Sequence, residues 1–155
     1  MLEEKIVELT KEIDLIMDEW LTKHNFTARS GGLYSEFCWR YDLNSENSDE
    51  IRYTLLIDKD NDEAFDRIFY EELGCNYDVG TFWVSWFHEI GHSQTYKLVP
   101  NYFWWNVPGN LIEYIHCPRE ITASQWAVDY INANIEDVKE LAQKVDKLRQ
   151  QIYSL

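Results

Sequence analysis

The residues best suited to chemistry form the run His88-Glu89-Ile90-Gly91-His92, an HExxH motif inside a segment that predicts a helix. Residues four positions apart lie one turn apart on one helical face, so both imidazoles point the same way. Two such imidazoles can bind one Zn²⁺ at about 2.0–2.1 Å. Glu89 is offset from the two ligands and reaches a water on the metal, where it acts as general base. The motif therefore predicts a hydrolytic zinc centre.

A catalytic zinc site also needs a third protein ligand and an open fourth position. The downstream candidates are two glutamates, a histidine and an aspartate: Glu113, His116, Glu120 and Asp129. We favour Glu120, because on a helix it shares a face with Ala123 and Ala127. Small residues beside the carboxylate let this helix pack closely on the motif helix, and Gly91 suits a close approach of another backbone. The alternative for Glu120 is that it only caps its helix.

His116 is the main rival of Glu120, and we also carry it as a candidate catalytic residue. It can be a third histidine ligand, a donor to a developing oxyanion, or an ordinary loop histidine. Tyr96, Tyr102 and Tyr114 are further candidates for oxyanion donors, although each also suits the core. The third ligand therefore stays open between Glu120, Glu113 and His116.

Composition excludes several classes of function. The 155 residues carry a net charge of −14, and such a surface repels phosphate, which argues against a nucleic-acid binder or a binder of anionic membranes. The three cysteines form no CxxC pair, which favours a reducing compartment. The acidic, periodic N-terminus does not resemble a signal peptide, and no apolar run is long enough to span a membrane. We expect a cytoplasmic protein.

Periodicity predicts an α+β fold of one domain over residues 1–155, with several helices around a small, mainly antiparallel sheet. The predicted strands cover 34–41 and 51–58 and form a hairpin, while Ser30-Gly31-Gly32 is expected to break the chain. Helices are predicted over 1–23 and over five later ranges: 63–73, 81–93, 111–116, 118–132 and 135–155.

Long helices are expected at both ends of the chain. An apolar stripe runs through residues 1–23, and residues 135–155 carry apolar residues at heptad positions. A parallel homodimer through the last helix would place Lys144 opposite Arg149, which repel each other. The acidic flanks of the first helix match the last helix better, so we expect the two to pack together within one chain. A monomer and a dimer through these helices both stay open.

The HExxH motif and a later glutamate together resemble a known pattern. His92 is followed 28 residues later by Glu120 in the arrangement E-x-x-A-x-x-W-A, which is similar to the gluzincins and above all to the short ImmA/IrrE-like zinc peptidases of phages and mobile elements. The resemblance covers residues 81–130. It implies a minimal zincin fold, with His88, His92 and Glu120 as ligands and Glu89 as base. It also implies an edge strand beside the active helix, for which 51–58 is the candidate, able to bind a peptide by strand addition.

The leading hypothesis is a cytoplasmic zinc peptidase acting on a protein or peptide substrate. The alternative is an acidic binding protein of a phage or mobile element, an inhibitor that occupies a basic surface of a host protein, and the charge of −14 favours it. A third hypothesis is a metal-holding pseudoenzyme used in assembly. Replacing Glu89 by Gln separates them, because only a peptidase loses its function.

Overall fold

The computed structural model describes residues 1–41, 49–55, 59–100, 102 and 111–155, with side chains throughout these ranges except at 59–62 and 111–112. The architecture is α+β with long terminal helices, as predicted. The chain divides into two compact units, the first made of Met1–Leu56 with Glu136–Leu155 and the second of Ile57–Ile135. The expectation of a single domain over 1–155 stays a prediction.

The elements of the described ranges follow one another in a simple order. The helices are α1 (Leu2–Lys23), α2 (Lys59–Asp66), α3 (Thr81–Thr95), α4 (Leu111–His116), α5 (Pro118–Ala133) and α6 (Ile135–Tyr153). The strands are β1 (Arg29–Leu33), β2 (Cys38–Arg40) and β3 (Glu50–Tyr53). A π-helical turn over Arg67–Glu72 continues α2.

Both terminal helices contribute to the core of the first unit through one apolar face. The buried side chains of α1 include Leu9, Ile13 and Met17. Those of α6 fall at the predicted heptad positions: Val138, Leu141, Val145 and Leu148. Trp20 and Leu141, from the two helices, line one small cavity. The two helices thus face one cavity within the first unit, while their packing against each other and a dimer through them stay predictions.

The sheet of the first unit is mixed rather than mainly antiparallel. Its strand order is β1-β3-β2. β2 runs antiparallel to β3, which confirms the hairpin over the described residues, whereas β1 runs parallel to β3. The expectation that Ser30-Gly31-Gly32 breaks the chain is wrong, because these residues lie inside β1. A Cβ at Gly31 would lie 3.0 Å from the Cβ of Glu50, so glycine is what lets β1 approach β3.

The strand proposed to bind a peptide at the sheet edge is not an edge strand. β3 lies between β1 and β2 and is paired on both sides. Its Ile51 and Tyr53 are fully buried. Strand addition on β3 is therefore excluded, since its backbone groups already have partners. Of the remainder of the predicted strand, residues 54 and 55 follow β3 without strand structure, and 56–58 lie outside the described residues.

The second unit is helical in its described part, and its centre is α3. This helix is buried almost all round, as its apolar sequence predicts. α5 packs against it more extensively than any other described element does. The helix expected over 63–73 begins earlier, at Lys59, and widens into the π-helical turn. No helix in the described ranges has the length and apolarity needed to cross a membrane.

Candidate metal centre

Two buried histidines of α3 form the basis of the site. His88 and His92 are 3% and 6% exposed, and their ring centroids lie 4.6 Å apart. They share a face because they are one helical turn apart, as the HExxH spacing predicts. Imidazoles buried this deeply need polar partners, because burying an unpaired polar group costs about 1–3 kcal/mol in mutational data.

Glu89 completes a group that can bind a metal. One ligand atom from each of His88, Glu89 and His92 lies within 4.8 Å of the other two. The side chain of Glu89 is 12% exposed, and its Oε2 lies 4.0 Å from Nε2 of His92. Glu89 thus lies beside the histidines, as expected for the offset residue of the motif.

Glu120 of α5 lies between the two imidazoles. Its Oε1 is 3.3 Å from Nε2 of His88, and its Oε2 is 2.9 Å from Nε2 of His92. Atoms bound to one tetrahedral zinc ion at 2.0–2.1 Å are about 3.3 Å from one another. Each oxygen of the Glu120 carboxylate therefore lies at about the distance from one Nε2 atom that separates two ligand atoms of one zinc ion.

A glycine contact between α3 and α5 brings Glu120 this close. A Cβ added to Gly91 would lie 2.4 Å from the carbonyl oxygen of Ala123. Ala123 itself is fully buried. The two helices therefore approach at a point where both have small residues, as the sequence pattern predicts.

The charges of the site are strongly coupled. Burial lowers the pKa of His88, but the hydrogen bond and charge of Glu120, with the charge of Glu89, outweigh it and the pKa is raised. Burial raises the pKa of Glu120, but hydrogen bonds from His88 and His92 outweigh it and hold the pKa far below its usual range. Glu120 is therefore an ionised carboxylate despite being only 4% exposed.

Three hydroxyl groups surround the cluster. Oγ of Ser124 is 2.9 Å from Nδ1 of His88. The hydroxyl of Tyr102 contacts Nδ1 of His92, and that of Tyr114 hydrogen-bonds Glu120. Tyr102 and Tyr114 are expected from the sequence as oxyanion donors, but these contacts are with the candidate ligands. Sequence reasoning missed Ser124, although its position one turn after Glu120 on the same face was a usable signal.

The other predicted candidates have different surroundings. His116 is largely exposed, and its Nε2 lies 3.0 Å from Oε2 of Glu72. Glu113 is exposed, and so is Asp129, which accepts a hydrogen bond from Gln125. Among the described residues, the group whose ligand atoms lie within metal-binding distance of one another consists of His88, Glu89 and His92, and it includes neither these three candidates nor Glu120. Of the four candidates, Glu120 is the one whose carboxylate lies near Nε2 of both histidines.

Aromatic rings cover one side of His88. Phe65 and Phe69 each form a T-shaped contact with its ring, with centroid separations of 5.9 and 6.0 Å. Phe69 lies in the π-helical turn and is buried, whereas Phe65 is partly exposed. Apolar walls of this kind lower the local dielectric constant and strengthen electrostatic interactions in the site.

The arrangement offers two imidazole nitrogens, the carboxylate of Glu120 beside them and the carboxylate of Glu89 nearby. Comparisons of the chain with protein-family models, with curated proteins and with solved structures gave no significant match.

Proposed function

We propose that the chain is a zinc-dependent peptidase that hydrolyses a peptide bond in a protein or peptide substrate. One observation carries the proposal: the buried carboxylate of Glu120 lies between Nε2 of His88 and Nε2 of His92, at 3.3 and 2.9 Å. The partly exposed Glu89 stands beside this set. Two histidines, one carboxylate ligand and an adjacent carboxylate base form a donor set that suits hydrolytic zinc.

The residues fit zinc better than they fit a purely structural role. Zinc accepts imidazole nitrogen and carboxylate oxygen in tetrahedral sites and keeps one position open when only three protein ligands bind it. An ion at this point would take the place of the hydrogen bonds between the imidazoles and Glu120. When bound, zinc supplies Lewis acidity, which lowers the pKa of a water toward ~7 and polarises a carbonyl group.

The proposal gives the two glutamates different tasks. Glu120 is the proposed ligand, and this is supported by its oxygens being nearer to the imidazoles than the 4.0 Å between Oε2 of Glu89 and Nε2 of His92. Glu89, which this assignment does not use as a ligand, would take a proton from the attacking water and give it to the departing amine. Its greater exposure suits a group that must meet substrate.

The test is a Glu89→Gln variant of the full chain. We expect peptide hydrolysis to fall by at least ~10²-fold, because the base is lost, while zinc content stays at the wild-type level. Glu113→Gln is the matched control, since Glu113 is an exposed glutamate of the same unit, and it should keep both zinc and activity. Undiminished hydrolysis by Glu89→Gln would contradict the assignment.

The same variants address the alternative of an acidic binding protein, which the net charge of −14 supports. A protein that acts by occupying a basic surface keeps its effect when Glu89 becomes Gln, because one neutralised carboxylate changes the overall field little. A wild-type chain that binds zinc but hydrolyses no peptide, with a Glu89→Gln variant that binds its partner unchanged, would favour this alternative over the peptidase.

A further inference from the structure

We propose that Ser124 and Tyr102 are positioning residues of the metal centre, each holding Nδ1 of one histidine through a hydroxyl group so that its Nε2 faces the ion. The proposal rests on the zinc site proposed above. It adds the two residues that orient the histidine ligands, and it notes that both of these residues are uncharged.

Ser124 is placed by the same helix as Glu120. It lies one turn later on α5, is fully buried, and its Oγ is 2.9 Å from Nδ1 of His88. Glu120 approaches the opposite nitrogen of that ring, with Oε1 at 3.3 Å from Nε2. One face of α5 thus contacts both nitrogens of His88, and the orientation of the ring is set by α5 as a whole.

The hydrogen-bond chemistry selects one tautomer. A neutral imidazole carries one proton, and only the nitrogen without it can bind a metal. If Nδ1–H of His88 donates to Oγ of Ser124, Nε2 is left with its lone pair toward Glu120 and the ion. The opposite tautomer would place the proton on Nε2 and block coordination there, so the hydroxyl acceptor favours the binding form.

Tyr102 serves His92 in the same way from outside α5. Its hydroxyl contacts Nδ1 of His92, and the side chain is 9% exposed. A phenol is a neutral group at pH 7, because its ordinary pKa is about 10. Both ligand histidines therefore have a neutral hydroxyl at Nδ1.

Neutral partners have a consequence for the ion. A carboxylate at Nδ1 makes a ligating imidazole more basic, whereas a hydroxyl does so less. With Glu120 as the one charged ligand, a bound Zn²⁺ keeps a net positive charge and hence more of its Lewis acidity. The hydroxyl pair orients the rings without neutralising the metal.

The experiment uses the full chain and measures zinc dissociation constants by chelator competition, with the absorption spectrum of the Co²⁺-substituted protein as a second readout. We expect Ser124→Ala and Tyr102→Phe each to raise the zinc dissociation constant by ~10–100-fold and to alter the Co²⁺ spectrum. Two variants make the proposal robust, because either can be measured if the other fails to fold.

Matched controls remove a buried or half-buried hydroxyl that touches no imidazole. Oγ1 of Thr95 donates to the carbonyl of Gly91 at 2.7 Å, and the hydroxyl of Tyr70 donates to the carbonyl of Val79. Thr95→Val and Tyr70→Phe should lose some stability but keep the zinc dissociation constant within ~3-fold and the Co²⁺ spectrum unchanged, because they leave the ligands in place.

The outcomes separate this proposal from the proposed function. A wild-type chain that binds zinc and hydrolyses peptide, with Ser124→Ala and Tyr102→Phe binding zinc as tightly as Thr95→Val and Tyr70→Phe, overturns the positioning role and leaves the peptidase standing. A wild-type chain that binds no zinc overturns both. Weakened binding in Ser124→Ala and Tyr102→Phe, with normal binding in the controls, supports the positioning role even if no peptide is cleaved.

Discussion

Two histidine–glutamate pairs of nearly equal length lie in different surroundings. Nε2 of His92 is 2.9 Å from Oε2 of Glu120, and the two side chains are 8% and 5% exposed. Nε2 of His116 is 3.0 Å from Oε2 of Glu72, and these side chains are 42% and 45% exposed. The atoms are the same and the distances differ by a tenth of an ångström, yet one pair is sealed between α3 and α5 while the other is in water.

The difference in burial changes how much each ion pair can contribute to stability. An exposed ion pair contributes ~0–1 kcal/mol and requires no further explanation. A buried pair must overcome a desolvation cost of several kcal/mol, roughly as large as its own attraction. Burying Glu120 between two imidazoles is therefore a poor way to stabilise a fold, which makes a functional reason for the buried pair more persuasive than for the exposed one.

The largest expected effect on zinc affinity comes from neutralising the glutamate of the buried pair, and the glutamate of the exposed pair provides the control. Glu120→Gln should raise the zinc dissociation constant by more than ~100-fold, because it removes the proposed carboxylate ligand and leaves two buried imidazoles. Glu72→Gln should leave it within ~2-fold, because exposed pairs act locally. Both values come from chelator competition. Equal effects of the two variants would show that burial does not distinguish the pairs.

The next effect tests the packing that buries the pair. Gly91→Ala places a methyl group where the carbonyl oxygen of Ala123 is 2.4 Å away. We expect the free energy of unfolding to fall by ~1–3 kcal/mol from overpacking, despite a gain in helix propensity of ~1 kcal/mol. Zinc affinity should fall as well, because α5 carries Glu120.

Gly80→Ala is the control for this substitution, since nothing lies within 4 Å of a Cβ there. Its cost in urea unfolding should be ~1 kcal/mol or less, as for other substitutions at a helix N-cap, with unchanged zinc affinity. A Gly91→Ala protein as stable as Gly80→Ala and with full zinc binding would mean that α5 does not need this contact.

His116 offers a smaller effect that sharpens the comparison. If it donates to an oxyanion, as the sequence allows, His116→Ala should lower kcat by ~10²–10³-fold. Its exposure and its pairing with Glu72 lead us to expect a change below ~3-fold and a stability loss below ~1 kcal/mol. Steady-state kinetics on a cleaved peptide decides between these values, and a large loss of kcat would restore His116 to the catalytic set.

The smallest expected effect is on the pH dependence of stability, through a carboxyl group that is hydrogen-bonded by a hydroxyl and a backbone group and not by imidazoles. Asp14 is half-buried; burial raises its pKa, against a hydrogen bond from Ser30. A carboxyl whose pKa is higher in the folded than in the unfolded chain opposes folding when ionised, and the penalty disappears as pH falls below the unfolded value.

Asp14→Asn should therefore be more stable relative to wild type at pH 7 than at pH 3, by less than ~1 kcal/mol because the group is half in water. Unfolding of both proteins at the two pH values measures it. A relative stability of the variant that is unchanged or greater at pH 3 would contradict the raised pKa.

Much of the second unit could be predicted from sequence, for a physical reason. The HExxH spacing fixes the direction of two side chains relative to one helix axis, and the Glu120–Ala123–Ala127 face marks where a partner helix can approach. These are local rules of helix geometry. The long apolar stripes of α1 and α6 are equally local, and the predicted helix over 111–116 agrees with α4.

The predictions that failed depend on contacts between distant residues. β1 pairs in parallel with β3, and Gly31 permits the close approach to Glu50 and Arg52, whereas a Ser-Gly-Gly run taken alone favours a turn. Ser124 was missed because a serine gains its role only when a histidine of another helix meets it. The place of β3 at the centre of the sheet likewise depends on a strand that the local pattern did not reveal.

The most direct test of the zinc centre is zinc K-edge X-ray absorption on the zinc-loaded wild-type chain. We predict one ion per chain bound by nitrogen and oxygen only, at about 2.0–2.1 Å, with the outer-shell scattering of two imidazoles. Loss of that imidazole signal in His88→Ala would confirm its source. A sulfur shell at about 2.3 Å, a spectrum without imidazole, or no bound zinc at all would contradict the central claim.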